Sequence, residues 1–369
     1  MEMLNSCVLE ALIYSIMACS TLMSQYFTIT GFSPSQIGLL MALMPLTAVY
    51  GNYIYFSLVD RFSTIKIIRI FSISAVLSSW LLYISEGFVM KFLFMAVLAF
   101  FQASFLPLVE SAMIDLSEKY AFSYNKIRIF GSIGYAVAAF LIGQLVRLGF
   151  EWLFIVLSVI FVLINLLIRK INIKTEKAEK NRKFGKVPSP FLFLFIMVTI
   201  AIGFNLFNSN FLPVFVKHRN YNVSIVGTTL SLMALSEVPF LMSAEKIRKK
   251  ISSKFLFLTG ILIIGVRLIL VPMSWSTGSM VLIQMLHGWT FIVVYYSTIF
   301  IMREALKGQT LRSAQTLFWI ALQGVGPLLG STMGGIVVDS IGISNTYITF
   351  GAICLVTSAV YSSYFIKKL

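Results

Sequence analysis

The amino-acid sequence predicts an all-α integral membrane protein, with twelve transmembrane helices forming two six-helix bundles around a central cavity. Three observations lead to this fold class: the composition, twelve long apolar runs, and alternating positive charge in the loops between them. Of the 369 residues, 58% are hydrophobic and 12% are charged, whereas soluble domains have about 45–50% apolar and about 25% charged residues. This composition excludes a soluble globule, a disordered chain and a fibrous chain.

The apolar runs are long enough to be membrane-spanning helices. A hydrocarbon core of about 30 Å needs roughly 20 helical residues, whereas a barrel strand needs only about ten. Turn-forming segments separate several runs, such as Thr30 to Pro34, Ser85 to Gly87 and Ser274 to Gly278. The short loops leave no room for a large extramembrane catalytic domain. The predicted spans 1 to 12 are 7–29, 35–57, 64–84, 90–114, 128–147, 150–169, 190–214, 224–243, 255–273, 279–302, 312–338 and 344–366.

The basic residues predict the orientation of these spans. The loops and adjoining span ends hold 24 Lys and Arg on one side and 4 on the other, and the remaining basic residue, Arg267, lies inside span 9. Since cytoplasmic loops carry excess Lys and Arg, we expect a multi-pass protein of the cytoplasmic (plasma) membrane with both termini cytoplasmic. The net charge of +15 thus comes from basic residues in loops near the lipid surface. We therefore expect no nucleic acid as a partner.

The sequence also predicts a division into two halves. The longest polar segment is basic and gives the boundaries: an N-terminal six-helix bundle at 1–169, a cytoplasmic linker at 170–189 and a C-terminal six-helix bundle at 190–369. A weak repeat supports the halves, because Arg128 opens span 5 and Arg312 opens span 11, 184 residues later. Parallel repeats of this kind occur in transporters, with the solute site near the midplane.

Four ionisable residues lie deep inside the predicted spans. A charge at the bilayer centre costs about 2.5–3.5 kcal/mol on insertion scales, so such residues usually face a polar cavity and have partners. Two carboxylates, a guanidinium and an imidazole could form a charge-balanced functional set; the alternative is buried pairs that hold helices together. The four are Glu110, Glu237, Arg267 and His287.

Further polar and aromatic residues recur at helical spacing and would line single helix faces. Amides, imidazole and aromatic rings on inward faces suit a polar solute that carries a ring. The alternative is hydrogen bonding between helices, which is common for Asn and Gln in membranes. These stripes are Arg128, Ser132 and Tyr135 in span 5; Asn205 and Asn208 in span 7; Gln284, His287, Phe291 and Tyr295 in span 10; and Gln315, Trp319 and Gln323 in span 11.

Enzyme signatures are missing from the sequence. It contains no GxSxG, HExxH or P-loop motif, and Cys7, Cys19 and Cys354 form no CxxC pair. We therefore expect no catalytic residues, no metal site, no cofactor and no ATP-driven transport by this chain alone.

Several segments resemble a known family. Val109-Glu110 and the stretch Tyr124 to Tyr135 are similar to the span 4 to span 5 region of the lactose permease, phenylpropionate permease and nucleoside proton symporter group of the major facilitator superfamily. The resemblance implies that Glu110 and Arg128 grip polar solute groups and that Tyr135 stacks on a ring. Lactose permease has tryptophan at the position of Tyr135, so this residue is a departure.

The second half extends the resemblance to proton coupling. Glu237 matches the family's span 8 glutamate, and Arg267 and His287 match its arginine and histidine of spans 9 and 10. Thr290 stands where lactose permease has its proton-releasing glutamate, so any coupling here would fall to Glu237 with His287 or Glu110.

A cytoplasmic gating motif is also matched in part. Asp60 and Arg61, with Lys66, resemble the family's gating loop, although Phe56 and Ser63 replace its usual glycines. The resemblance therefore assigns a gating role to Asp60 and Arg61.

Together these patterns predict a secondary active transporter that moves a small polar solute by alternating access, coupled to protons. The solute would be a sugar, a nucleoside or an aromatic acid. The predicted solute-binding residues are Glu110, Arg128, Tyr135, Asn205, Gln284, His287 and Trp319; the predicted proton-coupling residues are Glu237, Arg267 and His287.

Three alternatives remain open: a multidrug or metabolite exporter of the same fold, a membrane-embedded enzyme, and a sensor. A mainly aromatic, uncharged cavity would favour the exporter. We expect membrane lipid as the surroundings, and a monomer because the family is monomeric.

Overall fold

The computed structural model describes residues 2–59, 62–103, 124–168 and 185–368, together with Phe105 and Met113. Within these ranges all regular secondary structure is helical, as the composition predicts. The α-helices are α1 (Glu2–Ile29), α2 (Pro34–Val59), α3 (Thr64–Ile84), α4 (Gly87–Ala103), α5 (Tyr124–Leu145), α6 (Glu151–Leu167), α7 (Ser189–His218), α8 (Ile225–Ser236), α9 (Val238–Lys250), α10 (Ser253–Leu270), α11 (Thr277–Gln284), α12 (Phe291–Ala305), α13 (Gly308–Trp319), α14 (Gly326–Ile341) and α15 (Ile343–Lys368).

Each of the twelve predicted spans coincides with a helical segment. In the described residues, nine segments are long and apolar enough to cross a membrane by length and composition. Three shorter apolar helices supply the remaining spans: Pro34–Ala48, Gly87–Ala103 and Glu151–Leu167. The later part of span 4 lies outside the described residues. The prediction of an all-α membrane protein is therefore confirmed.

Three spans of the second half are interrupted, which the sequence did not predict. Span 8 has an irregular turn at Glu237, between α8 and α9, where the backbone keeps helical dihedral angles but the regular α-helical hydrogen bonding is interrupted. Span 10 contains a 3-10 helix, Met285–Trp289, and span 11 contains a π-helical segment, Ile320–Val325. Pro239 in the first turn of α9 and Pro327 in the first turn of α14 lie beside two of these breaks; proline cannot donate a backbone hydrogen bond. Interrupted helices leave backbone and side-chain polar groups available inside a membrane protein.

The π-helical segment Ile320–Val325 crosses one predicted stripe. A π turn holds more residues than an α turn, which brings Gln323 closer to the direction of Gln315 than a continuous α-helix would. The stripe of Gln315, Trp319 and Gln323 stays a prediction.

The chain packs as two compact units. The first comprises residues 1–32, 39–180 and 222–231, and the second comprises 33–38, 181–221 and 232–369. The predicted linker boundaries at 170–189 stay a prediction, since most of that segment lies outside the described residues.

Glycines allow close helix packing within each unit. In the first unit, α1 packs on α5 where Gly134 leaves no room for a side chain beside the Ala11 backbone, and Ser15 Oγ donates to the Gly134 carbonyl at 3.0 Å. In the second unit, Gly330 of α14 meets the Gly203 backbone of α7 in the same way. Small residues at such spacing let membrane helices approach closely.

Lys91 is a buried cation of the first unit, although its place in the sequence indicates a loop charge. Its side chain lies in α4 and the residue is 4% exposed. The ammonium donates to the Leu82 carbonyl at 2.7 Å and the Tyr83 carbonyl at 3.2 Å, and it also contacts the Tyr26 hydroxyl. Lys91 therefore satisfies carbonyl groups in the last turn of α3, where a cation is favourable.

Candidate functional site

Two helix interruptions of the second unit meet and bring an acid beside a base. Glu237 Oε1 lies 3.2 Å from His287 Nε2, and the two side chains are 10% and 13% exposed. Gly288 packs directly on the backbone carbonyl of Ser236, with no space for a Cβ atom. The close approach of these two backbones places Glu237 against His287.

Arg267 of α10 links this pair to α7. The residue is fully buried. One terminal nitrogen, Nη1, lies 2.7 Å from His287 Nδ1, and Nη2 donates to Asn205 Oδ1 at 2.7 Å. Thr290 completes the group, because its hydroxyl donates to the His287 carbonyl at 2.8 Å and lies 3.3 Å from Asn205 Oδ1. We call Glu237, His287, Arg267, Asn205 and Thr290 the charged chain.

The charged chain contains one positive and one negative group, which offset each other. A cationic guanidinium and an anionic carboxylate lie on opposite sides of one imidazole, and a buried charge without a partner would be costly. The arrangement brings together all three predicted proton-coupling residues, of which His287 is also a predicted solute-binding residue, and with them a second predicted solute-binding residue, Asn205. Their functional roles stay predictions.

The packing around the charged chain holds its backbone in place. Trp289 Nε1 donates to Thr259 Oγ1 at 3.0 Å, and the Trp289 ring meets Phe240 edge-on with centroids 5.4 Å apart. Phe240 belongs to a buried apolar cluster that also contains Leu256 and Val293. The residues beside Glu237 and His287 are therefore anchored on α9, α10 and α12.

Gln284 has a different environment from the charged chain. Its amide and that of Asn208 donate to each other at 2.8 and 3.0 Å, and neither residue is exposed. The Tyr347 hydroxyl lies 3.4 Å from the Asn208 carbonyl. Such a closed pair is what interhelical hydrogen bonding produces, so the geometry favours that alternative for Gln284.

Aromatic side chains continue the face of α12 that begins near His287. Phe291 and Tyr295 are nearly parallel, with centroids 6.2 Å apart. Tyr295 also meets Phe318 at 5.8 Å and Trp319 at 6.0 Å. Trp319 is 41% exposed, and it therefore offers ring surface that this cluster does not bury. We call Phe291, Tyr295, Phe318 and Trp319 the aromatic platform.

The predicted residues of the first half are described only in part. The Arg128 guanidinium lies 4.2 Å from the centre of the Tyr14 ring, a cation–π contact between α5 and α1. Glu10, one turn before Tyr14 on α1, is fully buried. Tyr135 lies two turns after Arg128 on α5 and is partly buried. The predicted residues Glu110, Asp60 and Arg61 lie outside the described residues.

Sequence reasoning missed two contributors to the site. In the sequence Thr290 is notable only because lactose permease has a glutamate at this position, yet the structure places it in the charged chain. Gly288 carries no chemistry, and its role becomes visible only beside the Ser236 carbonyl. In the described residues, no group of three or more His, Cys, Asp and Glu side chains could hold a metal ion.

The nine long and three shorter apolar helices among the described residues are those of a multi-pass membrane protein. The chain belongs to the MFS_1 like family, whose sequence profile matches residues 11–349. It is therefore a major facilitator transporter rather than an enzyme, and the predicted resemblance is confirmed at this level.

Individual relatives are distant. The uncharacterized transporter YwbF of Bacillus subtilis is 24% identical over 90% of this chain and 86% of its own length. The sucrose permease of Escherichia coli is 21% identical over 92% of this chain and 86% of its own. The probable 3-phenylpropionic acid transporter of Escherichia coli is 22% identical over 72% of each chain.

A solved structure shows the same fold. A point mutant of the nucleoside transporter NupG superposes with a TM-score of 0.88, covering 99% of this chain and 100% of that chain at 17% identity. At this identity the match concerns the fold alone.

Proposed function

We propose that this protein moves a small, polar, ring-bearing solute across the membrane by alternating access, coupled to protons through Glu237. The observation that carries the proposal is the charged chain: Glu237, His287 and Arg267 are joined side by side inside the second unit. Ionisable groups within membrane spans are expensive and mark substrate paths or proton relays.

Glu237 is the most suitable proton carrier of this group. Arginine stays charged in proteins, so Arg267 does not exchange a proton. Glu237 lies at a helix interruption and keeps a small exposed area, so water can reach its carboxylate.

The aromatic platform supports the choice of solute class. Flat rings bind by stacking on exposed aromatic faces, while nearby polar groups fix their orientation. Distant relatives named for sucrose and 3-phenylpropionic acid, and a nucleoside transporter of the same fold, keep sugar, aromatic acid and nucleoside as candidates. A charged chain inside the unit argues against an exporter with a purely apolar cavity.

Uptake into proteoliposomes tests both parts of the proposal. Purified full-length protein is reconstituted, and radiolabelled sucrose, uridine and 3-phenylpropionate are supplied with and without an inward proton gradient. We expect one of them to accumulate against its own gradient only when the proton gradient is imposed.

Two variants identify the coupling group. Glu237→Gln should abolish accumulation but retain exchange of solute between the two sides. Glu304→Gln is the matched control, since Glu304 is a half-exposed carboxylate of the same unit. Accumulation that survives in Glu237→Gln would exclude Glu237 as the coupling group.

A further inference from the structure

The hydrogen bonds of His287 have a fixed direction. A guanidinium only donates hydrogen bonds and has no acceptor, so the Arg267 contact at 2.7 Å requires the lone pair of His287 Nδ1. In a neutral imidazole one nitrogen accepts and the other carries the hydrogen. The hydrogen of His287 is therefore on Nε2, which faces the Glu237 carboxylate at 3.2 Å.

The surroundings of the two imidazole nitrogens are also unequal. Nδ1 lies between Arg267 and the Thr290 hydroxyl, which is 3.2 Å away. The Thr290 hydroxyl has acceptors in the His287 carbonyl at 2.8 Å and Asn205 Oδ1 at 3.3 Å, and Arg267 is completely buried. Protonation of Nδ1 would place two cations in contact and break the Arg267 hydrogen bond, whereas a proton on Oε2 of Glu237 leaves the contact between Oε1 and His287 Nε2 in place.

We propose that Arg267 is a positioning residue that fixes His287 as the Nε2–H tautomer, so that His287 acts as a hydrogen-bond donor and Glu237 alone takes up the proton. This inference rests on the proposed proton coupling. In the uptake step a hydronium ion breaks one of its O–H bonds and gives the proton to Oε2 of Glu237; a water molecule is left behind, and the carboxylate becomes a neutral carboxylic acid. Oε1 continues to accept from Nε2–H, and no bond at His287 forms or breaks.

Other titratable groups face this region from a neighbouring helix. Tyr347 and Cys354 of α15 lie within electrostatic range of Arg267, and among the residues that the structure describes Glu237 and Arg267 are the charged groups that act on His287. Tyr347 directs its hydroxyl to the Asn208 carbonyl rather than to the imidazole. The tautomer of His287 is thus determined by its two immediate partners.

Nitrogen NMR tests the tautomer directly. The chain has two histidines, so the variant His218→Gln labelled with 15N-histidine leaves a single imidazole in the full-length protein. We expect one protonated nitrogen, Nε2, from about pH 5 to about pH 8, the range in which a free imidazole changes charge. An Nδ1–H tautomer, or an imidazolium at the acidic end of this range, would overturn the proposal.

A variant removes the cause while keeping the imidazole. Arg267→Met in the same background should produce a mixture of tautomers and an imidazole that titrates within the range. Unchanged spectra would show that Arg267 does not fix the tautomer. If this variant does not fold, the spectrum of His218→Gln alone still decides which nitrogen carries the hydrogen.

Infrared difference spectroscopy locates the proton. Acidification of wild-type protein should produce a carboxylic acid C=O band that is lost in Glu237→Gln and retained in Glu304→Gln. A band that survives in Glu237→Gln, or imidazolium signals in its place, would contradict the proposal. Solute uptake that does not depend on a proton gradient would instead contradict the proposed function. The nitrogen NMR and infrared results would in that case still be as expected.

Discussion

Gly288 packs on the carbonyl group of Ser236, so the interruption of one span rests on the interruption of another. The residues that follow Ser236 and precede Gly288 are Glu237 and His287, the acid and base of the charged chain. Their separation of 3.2 Å is therefore a consequence of a backbone contact that only glycine permits.

The first prediction concerns this contact. In Gly288→Ala the new methyl group would overlap the Ser236 carbonyl, and overpacking of this kind costs about 1–3 kcal/mol. We expect a lower melting temperature and loss of proton-driven accumulation, measured by thermal unfolding and by uptake. Gly278→Ala is the control, because Gly278 has no close neighbour; equal behaviour of the two variants would show that the contact is unimportant.

The second prediction concerns charge balance. Arg267 and Glu237 contact opposite sides of His287, so Arg267→Gln removes the cation that lies across the imidazole from the carboxylate. Breaking a direct buried ion pair costs about 3–5 kcal/mol, and we expect a smaller loss for this indirect pair. The double variant Arg267→Gln with Glu237→Gln should recover part of this loss, because no unpaired charge remains. Denaturation of the four proteins in a double-mutant cycle measures the coupling. Additive effects would mean that the two side chains do not share a network.

A third prediction separates structural from solute-binding amides. Asn208→Leu should destabilise the protein by about 1–3 kcal/mol, since it leaves the buried Gln284 amide unsatisfied, and Asn208→Leu with Gln284→Met should be nearly neutral. We expect the double variant to keep the wild-type KM for solute. A large increase in KM would instead assign Gln284 to solute binding, as the sequence predicts.

The fourth prediction concerns the aromatic platform. Trp319→Ala removes an exposed ring face, and an aromatic pair contributes about 0.5–1.5 kcal/mol beyond its buried area. The KM for a ring-bearing solute should therefore rise roughly two- to tenfold, with little change in thermal stability. Trp319→Phe should recover most of the affinity. A KM that is the same in all three proteins would exclude stacking at this position.

The sequence predicted the number and placement of the helices because bilayer thickness and backbone hydrogen bonding leave few alternatives to long apolar helices. It did not predict the interruptions. Pro239 and Pro327 are compatible with a kink, a cap or a break, and packing decides among these.

The residues of the site were predicted more completely than their contacts. Arg267 and His287 stood out because charge is rare inside a span, and the family resemblance placed them together. Asn205 and Asn208 are three residues apart and looked equivalent, yet one binds Arg267 and the other binds Gln284. The sequence does not predict the burial of Lys91, because its ammonium donates to two backbone carbonyls. Every residue has a backbone carbonyl, so the residue types give no sign of this contact.

The π-helical segment Ile320–Val325 has a consequence for how span 11 tolerates change. A π turn closes its hydrogen bond one residue later than an α turn, so it absorbs one surplus residue while the helix continues in the same direction. Deleting one residue within Ile320–Val325 should therefore restore a plain α-helix and leave the relative directions of Trp319 and Gly330 nearly unchanged. Deleting one residue elsewhere in span 11 would instead turn the two side chains relative to each other by about 100°.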